Sequence, residues 1–268
     1  MVNDDLSRNG VLVEISDYIA TVRLDRPPVN ALSHEAYQAI ATVFGELAAR
    51  RDVRVCILTA SGKYFSAGRD FKSRTSATAE ERFATIGAAL TAIRDCAVPV
   101  VAAVNGLAVG GGFGLVLACD LIVASTASSF GWPEINFGLV GGMAGSRGLL
   151  PPFLARRMYF TGEPVSPDRL CQLGVLESVV APGQLAAEAR RLAAVMAGKS
   201  PAALRAAKWA ANEVETITDR QQAFRVVEAR VGMAMTATEE HAEALRAFAE
   251  KRKPVFDTTP TATKEPHA

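Results

Sequence analysis

The feature that most constrains this chain is its longest apolar stretch, residues 98–117, which Asn105 and five glycines interrupt. A membrane-spanning helix needs about 20 consecutive, predominantly apolar residues. This stretch does not read as one span, because Asn105-Gly106 turns the chain and Gly110-Gly111-Gly112 opens a glycine-rich loop. It reads instead as a strand over 100–104, a loop, and a short helix ending near Cys119. A glycine loop that opens a helix offers an anion or oxyanion site. The first helical turn leaves N–H groups unpaired, the helix dipole makes that end positive, and glycine lets a ligand approach the backbone. Taken alone, the loop reads equally well as a tight turn between packed elements.

The rest of the chain sets this loop in an α/β layout. Short strands are expected over 11–15 and 19–24, around a Ser16-Asp17 turn. Ser33 is a helix N-cap, with Glu35 in the first turn, for a helix reaching about Arg50. A buried strand follows over 53–59, then a polar loop over 61–76, a helix over 80–95, and strands over 100–104 and 121–124. From Pro182 the pattern is helical, over 182–197, 201–215, 219–235 and 239–252. This divides the chain into an α/β core (1–195), a C-terminal helical segment (196–256) and a Pro- and Thr-containing tail (257–268) expected to be disordered.

Composition narrows the function. The 268 residues are 49% hydrophobic and 21% charged, with a formal net charge of +1, so no global field favours nucleic acid or an anionic membrane. Cys56, Cys96, Cys119 and Cys171 are far apart, and Cys56 and Cys119 lie in apolar runs that read as buried free thiols. His34, His241 and His267 are isolated, so no metal is expected. The polar, acidic start is unlike a secretory signal, and the expectation is a cytoplasmic protein without a membrane span.

Rival motifs fit poorly. A dinucleotide fingerprint starting at Gly112 would need glycine where Leu117 stands, and a phosphate loop ending at Gly62-Lys63 would need glycine at Ile57. Ala144-Gly145-Ser146-Arg147-Gly148 is similar to a nucleophile elbow, but no strong strand precedes it.

Three segments, in order, resemble the crotonase (enoyl-CoA hydratase/isomerase) family: Phe65-Ser66-Ala67-Gly68-Arg69-Asp70-Phe71, the run from Val104 through Gly110-Gly111-Gly112, and Phe130-Gly131-Trp132-Pro133-Glu134. Arg26 to Leu32, Tyr159 to Gly162 and Ala247 to Arg252 add weaker matches, so the resemblance covers about residues 10 to 256. It implies an α/β spiral of ββα units (ClpP-like), with C-terminal helices that assemble trimers, often paired into hexamers. It implies an acyl-CoA thioester as ligand and no separate cofactor, since coenzyme A is part of the substrate. Two backbone donors, the N–H groups of Arg69 and Gly111, would stabilise a thioester enolate. Contacts to CoA and the acyl group would fall on Pro28, Val29, Ser66, Ala67, Gly68, Asp70, Phe71, Gly110, Trp132 and Pro133. Phe248 and Lys251 would reach the CoA of a neighbouring subunit.

The family's hydratases hold water between two glutamates. One falls on Glu134; the other falls on Gly114, which has no carboxylate. A single carboxylate suffices to shuttle a proton between C2 and C4, so the main expectation is double-bond isomerisation with Glu134 as acid and base. A hydratase working with one glutamate is the alternative, and a non-catalytic CoA-binding protein is the reading from another class.

Overall fold

The computed structural model describes residues 6–73 and 75–256; the tail assigned to 257–268 lies outside the described residues. In chain order the core holds β1 (Val11–Ser16), β2 (Ile19–Leu24), α1 (His34–Ala49), β3 (Val55–Ala60), α2 (Ala79–Arg94), β4 (Val100–Val104), β5 (Leu107–Val109), α3 (Gly111–Leu117), β6 (Leu121–Ser125) and β7 (Ser129–Gly131). A 3-10 turn (Pro133–Phe137) follows, then α4 (Met143–Ser146), α5 (Pro152–Thr161), α6 (Pro167–Gln172), β8 (Ser178–Val180) and α7 (Leu185–Ala197). The C-terminal helices are α8 (Pro201–Thr216), α9 (Arg220–Ala223), α10 (Ala229–Thr236) and α11 (Glu239–Ala249), with a π-helical turn, Phe224–Glu228, between α9 and α10.

Six strands form one sheet in the order β1-β2-β3-β4-β6-β8. The β1–β2 pair is an antiparallel hairpin closed by Asp17-Tyr18, both at positive φ (52° and 63°), as the twist of a two-residue hairpin favours. The other neighbours run parallel. Both faces of the central strands are covered, which is why β3 and β4 read as unbroken apolar runs. Val55 and Ile57 meet Leu185, Ala189, Ala193 and Ala197 of α7, a stripe repeating every fourth residue. Cys56 and Leu58 face the larger core, with Ile40, Val43, Phe44 and Leu47 of α1.

Ser33 caps α1, its hydroxyl accepting from Ala36 N–H at 3.2 Å; such a cap stabilises by about 1 kcal/mol. α2 begins one residue earlier than the periodicity indicates, because Thr78 and Glu81 form a capping box. β5, β7 and β8 are strands where none was expected. Each has three residues, too few to display a period, and each exists only through its pairing partner. The β5–β7 pair is the important one: it lays the third motif beside the glycine loop.

α8 is held to the sheet by a buried lysine. Lys208 Nζ donates to Asp120 Oδ2 (2.7 Å), Val98 O (3.2 Å) and Ile93 O (3.3 Å), while the same Asp120 oxygen accepts from Val100 N–H. No helix among the described residues is long and apolar enough to cross a membrane.

Candidate active site

The site is built where two loops cross above the sheet. The first carries residues 66–70. Ser66 pairs with β5: its N–H donates to Leu107 O and its C=O accepts from Val109 N–H, each at 3.0 Å. Leu32 then takes up the next residues, donating to Gly68 O (2.8 Å) and accepting from Asp70 N–H (2.9 Å). Because Gly68 O and Asp70 N–H both face Leu32, the Arg69 N–H between them faces the opposite way. Asp70 keeps the loop in shape, its Oδ1 accepting from Lys72 N–H and Ser73 N–H.

Asn30 is the hub beneath. It is buried, with φ 51°, and its amide donates to Ser61 O and Tyr64 O. Its Oδ1 accepts from Arg26 N–H, and its carbonyl accepts from the Ser66 hydroxyl at 2.7 Å. The Ser66 hydroxyl in turn accepts from Gly68 N–H. Ala67 N–H donates to Val29 O, which leaves Pro28 exposed and Val29 half-buried at the loop's edge.

The second loop approaches so closely that side chains are excluded. A Cβ on Gly68, which has φ 80°, would stand 2.8 Å from Val109 O and 3.3 Å from Gly111 N. A Cβ on Gly112 would stand 2.6 Å from Ser66 Cβ. Gly110 (φ 55°) starts α3, and its N–H donates to Gly131 O at 2.9 Å. Gly111, the first helical residue, therefore has an unpaired N–H by position. Among the described residues neither Arg69 N–H nor Gly111 N–H has a hydrogen-bond partner.

β7 delivers Trp132-Pro133-Glu134 next to this point. Pro133 opens the 3-10 turn at its first position, where its missing N–H costs nothing. The Glu134 carboxylate lies over Gly110: a Cβ there would be 2.6 Å from Oε1. Oε2 is buried without a hydrogen-bond partner among the described residues. Burial raises the carboxyl above its ordinary value of 4.5, toward the range of a useful base. Trp132 is 2% exposed and sits in an aromatic stack, 4.6 Å from Phe113 and 4.9 Å from Tyr159 by ring centroids.

An apolar rim faces solvent. Phe71 and Phe137 are 59% and 64% exposed, with centroids 5.6 Å apart, and the Arg69 guanidinium stands 5.4 Å from the Phe71 ring centre. Gly114 lies on α3 facing α2, and a Cβ there would meet only the Leu90 side chain, at 3.4 Å, so a methyl group at least has room. Ser146 is buried, and its hydroxyl is taken up by Tyr159 and Met143 O in the short helix α4, which is not the exposed turn of a nucleophile elbow. Among the described residues all four cysteines are free; Cys56 and Cys96 are buried, whereas Cys119, two residues beyond α3, is half-buried. Phe248 is 83% exposed at the end of α11 and Lys251 follows at φ 53°; this chain alone does not bring either to the two loops. Tyr37 is the residue whose proximity sequence reasoning missed: a Cβ on Gly111 would collide with its hydroxyl.

Two crossed loops offering inward N–H groups beside a desolvated carboxylate define an acyl-thioester enzyme of the crotonase type. The chain belongs to the enoyl-CoA hydratase/isomerase family, whose profile matches residues 14–259. It is 41% identical over 201 residues (74% of this chain, 81% of the relative) to the Mycobacterium tuberculosis (7aS)-7a-methyl-1,5-dioxo-2,3,5,6,7,7a-hexahydro-1H-indene-carboxyl-CoA hydrolase. It is 36% identical over 263 residues to the carnitinyl-CoA dehydratase of Salmonella enteritidis, covering 94% of this chain and 97% of that one. The crystal structure of an enoyl-CoA hydratase from Mycobacterium smegmatis superposes with a TM-score of 0.87 at 31% identity, over 93% of this chain and 99% of that chain. The protein is thus an acyl-CoA-processing enzyme with the α/β crotonase fold.

Proposed function

We propose that this enzyme adds water to a 2-enoyl-CoA, or removes it from the 3-hydroxyacyl-CoA, with Glu134 as its one acid and base. The observation that carries the reading is the half-buried Glu134 carboxylate laid against Gly110, one residue from the unpaired Gly111 N–H. The thioester oxygen accepts from Arg69 N–H and Gly111 N–H. Glu134 takes a proton from water as the water oxygen bonds to C3, the C2–C3 π pair shifts into a C1–C2 double bond, and the carbonyl π pair moves onto the thioester oxygen. The enolate then collapses as C2 takes the proton back from Glu134. Donors aimed at the oxygen stabilise it most when it is charged, by roughly 2.7–4 kcal/mol each in comparable sites.

The hydratase and dehydratase relatives favour water chemistry over the double-bond isomerisation expected from a lone glutamate. A second reading, hydrolysis of a ring-bearing acyl-CoA, draws on the hydrolase relative at 41% identity. Both use Glu134 to activate water.

The ligand contacts proposed here are Pro28, Val29, Ser66, Ala67, Gly68, Asp70 and Gly110 along CoA and thioester, with Phe71, Trp132 and Pro133 toward the acyl group. The segment 196–256 assembles a trimer, or a hexamer of paired trimers, through the C-terminal helices. In support, α10 buries none of its residues, and Phe224, Met233, Leu245 and Phe248 are all more than half exposed. In that assembly Phe248 and Lys251 reach a neighbour's CoA.

The test is a panel of 2-enoyl-, 3-enoyl- and cyclic acyl-CoAs, with products identified by mass and double-bond position. Hydration of a 2-enoyl-CoA is the expected result. A double bond moved from C3 to C2 with no water gained would reinstate isomerisation, and hydrolysis of the cyclic acyl-CoA alone would favour the hydrolase reading.

A further inference from the structure

Tyr37 projects from the buried face of α1 and is 2% exposed, yet its hydroxyl has no hydrogen-bond partner among the described residues. Buried hydroxyls are almost always paired, and a tyrosine hydroxyl in an interior nearly always finds a partner. The position of this one is specific. A Cβ on Gly111 would collide with the hydroxyl oxygen and stand 3.2 Å from the ring carbon that bears it. The phenol therefore fills the space that Gly111 leaves empty, as the Glu134 carboxylate fills the space beside Gly110.

We propose that the Tyr37 hydroxyl is a third hydrogen-bond donor to the thioester oxygen, alongside the N–H groups of Arg69 and Gly111. The proposal rests on the oxyanion reading given above and goes beyond it. Two of the neighbours nearest the hydroxyl offer it no acceptor. Gly111 N–H on one side is itself a donor, and the Arg69 side chain is a cation. Burial, and then the neighbouring Glu134 carboxylate, hold the phenol proton on, while Arg69 acts weakly the other way. A hydroxyl held protonated does not act as a base and keeps the proton that it would donate to an oxygen gaining charge during the reaction. Glycine at 111 then has two uses: its bare N–H approaches the substrate, and its missing side chain admits the phenol.

The test is Tyr37→Phe, which keeps the ring and removes only the oxygen. A saturated acyl-CoA labelled with carbon-13 at the thioester carbonyl serves as a non-reacting probe, and its C=O stretch is read by infrared difference spectroscopy. The parent should lower that frequency on binding, and Tyr37→Phe should lower it less. Turnover should fall about a hundredfold or more, the loss typical of one oxyanion donor, with KM little changed. Thermal stability should hold or rise, because the unpaired hydroxyl is gone. If the variant does not fold, 3-fluorotyrosine at position 37 gives the same test in the other direction: a more acidic phenol should deepen the shift. A Tyr37→Phe enzyme with the parent's frequency and turnover, or a fluorotyrosine enzyme with no deeper shift, overturns the proposal and leaves the two N–H donors standing. A parent that binds the probe without any shift overturns the oxyanion reading and this proposal together.

Discussion

Glu134 Oε1 lies where the side chain of Gly110 would begin: a Cβ there would be 2.6 Å from it. Gly110 also has φ 55°, which favours glycine. Gly110→Ala should push the carboxylate out of place. Misplacing a catalytic group by about 1 Å can cost on the order of a hundredfold, so turnover should fall by that order. Titration calorimetry with an acyl-CoA should still register binding. An alanine variant with the parent's kcat would mean that the carboxylate does not work from this position.

Glu134→Gln should lose about a hundredfold or more in turnover, within the usual range for general acid–base catalysis, while keeping acyl-CoA binding. It should also unfold at a higher temperature than the parent at neutral pH. The carboxyl's folded value is raised, so its charged form opposes folding above that value, and the opposition fades as pH falls through it. The gap in Tm between variant and parent should therefore narrow on acidification. A gap that widens would refute the desolvated carboxylate.

The same shift places the acid limb of kcat/KM. Water activation needs the ionised carboxylate, so activity should fall as pH drops through a value above the ordinary 4.5. Stopped-flow rates across pH 4 to about 8 would locate the limb. A limb at or below 4.5 would assign the base to another residue.

Gly114→Glu asks whether the absent carboxylate limits hydration. Since a Cβ at 114 meets only the flexible Leu90 side chain, at 3.4 Å, the variant should fold. Removing an interior helical glycine favours the helix by up to about 1 kcal/mol. Two carboxylates can then orient one water, and hydration should rise about tenfold or more, at the low end of what a placed acid or base contributes. A folded variant with unchanged hydration would show that Glu134 alone sets the rate.

Lys208→Met tests the anchor of the C-terminal helices. The lysine side chain is 3% exposed and its partner Asp120 is 30% exposed. Losing one member of a buried pair costs about 3–5 kcal/mol, and the partial exposure of Asp120 favours the lower figure. Chemical denaturation should report that loss, with catalysis of the remaining folded enzyme intact. A loss below about 1 kcal/mol, the range of surface pairs, would make the pair ornamental.

Much of the architecture was legible where a residue carries its own signal. Ser33 reads as a cap and is one, and the apolar runs of β3 and β4 read as strands, the first as a buried one, and are. Glu134 was legible through its motif. β5 and β7 were not, because three residues show no period and the pair joins segments remote in sequence. Tyr37 was not, because its place on the apolar stripe of α1 is indistinguishable from core until Gly111 is seen beneath its hydroxyl. Asn30 stood in the Arg26 to Leu32 match, but its three hydrogen bonds to Ser61, Tyr64 and Ser66 join loops that only the fold brings together.

Gly110 and Gly111 together behave as a socket. Both have surrendered their side-chain room, one to a residue from β7's end and the other to a residue from α1. Any larger residue at either position evicts an occupant, so the backbone there is closed to gradual change. Room for change lies instead with the two occupants, at positions 37 and 134. Either can be exchanged without touching the Gly111 N–H that the socket presents.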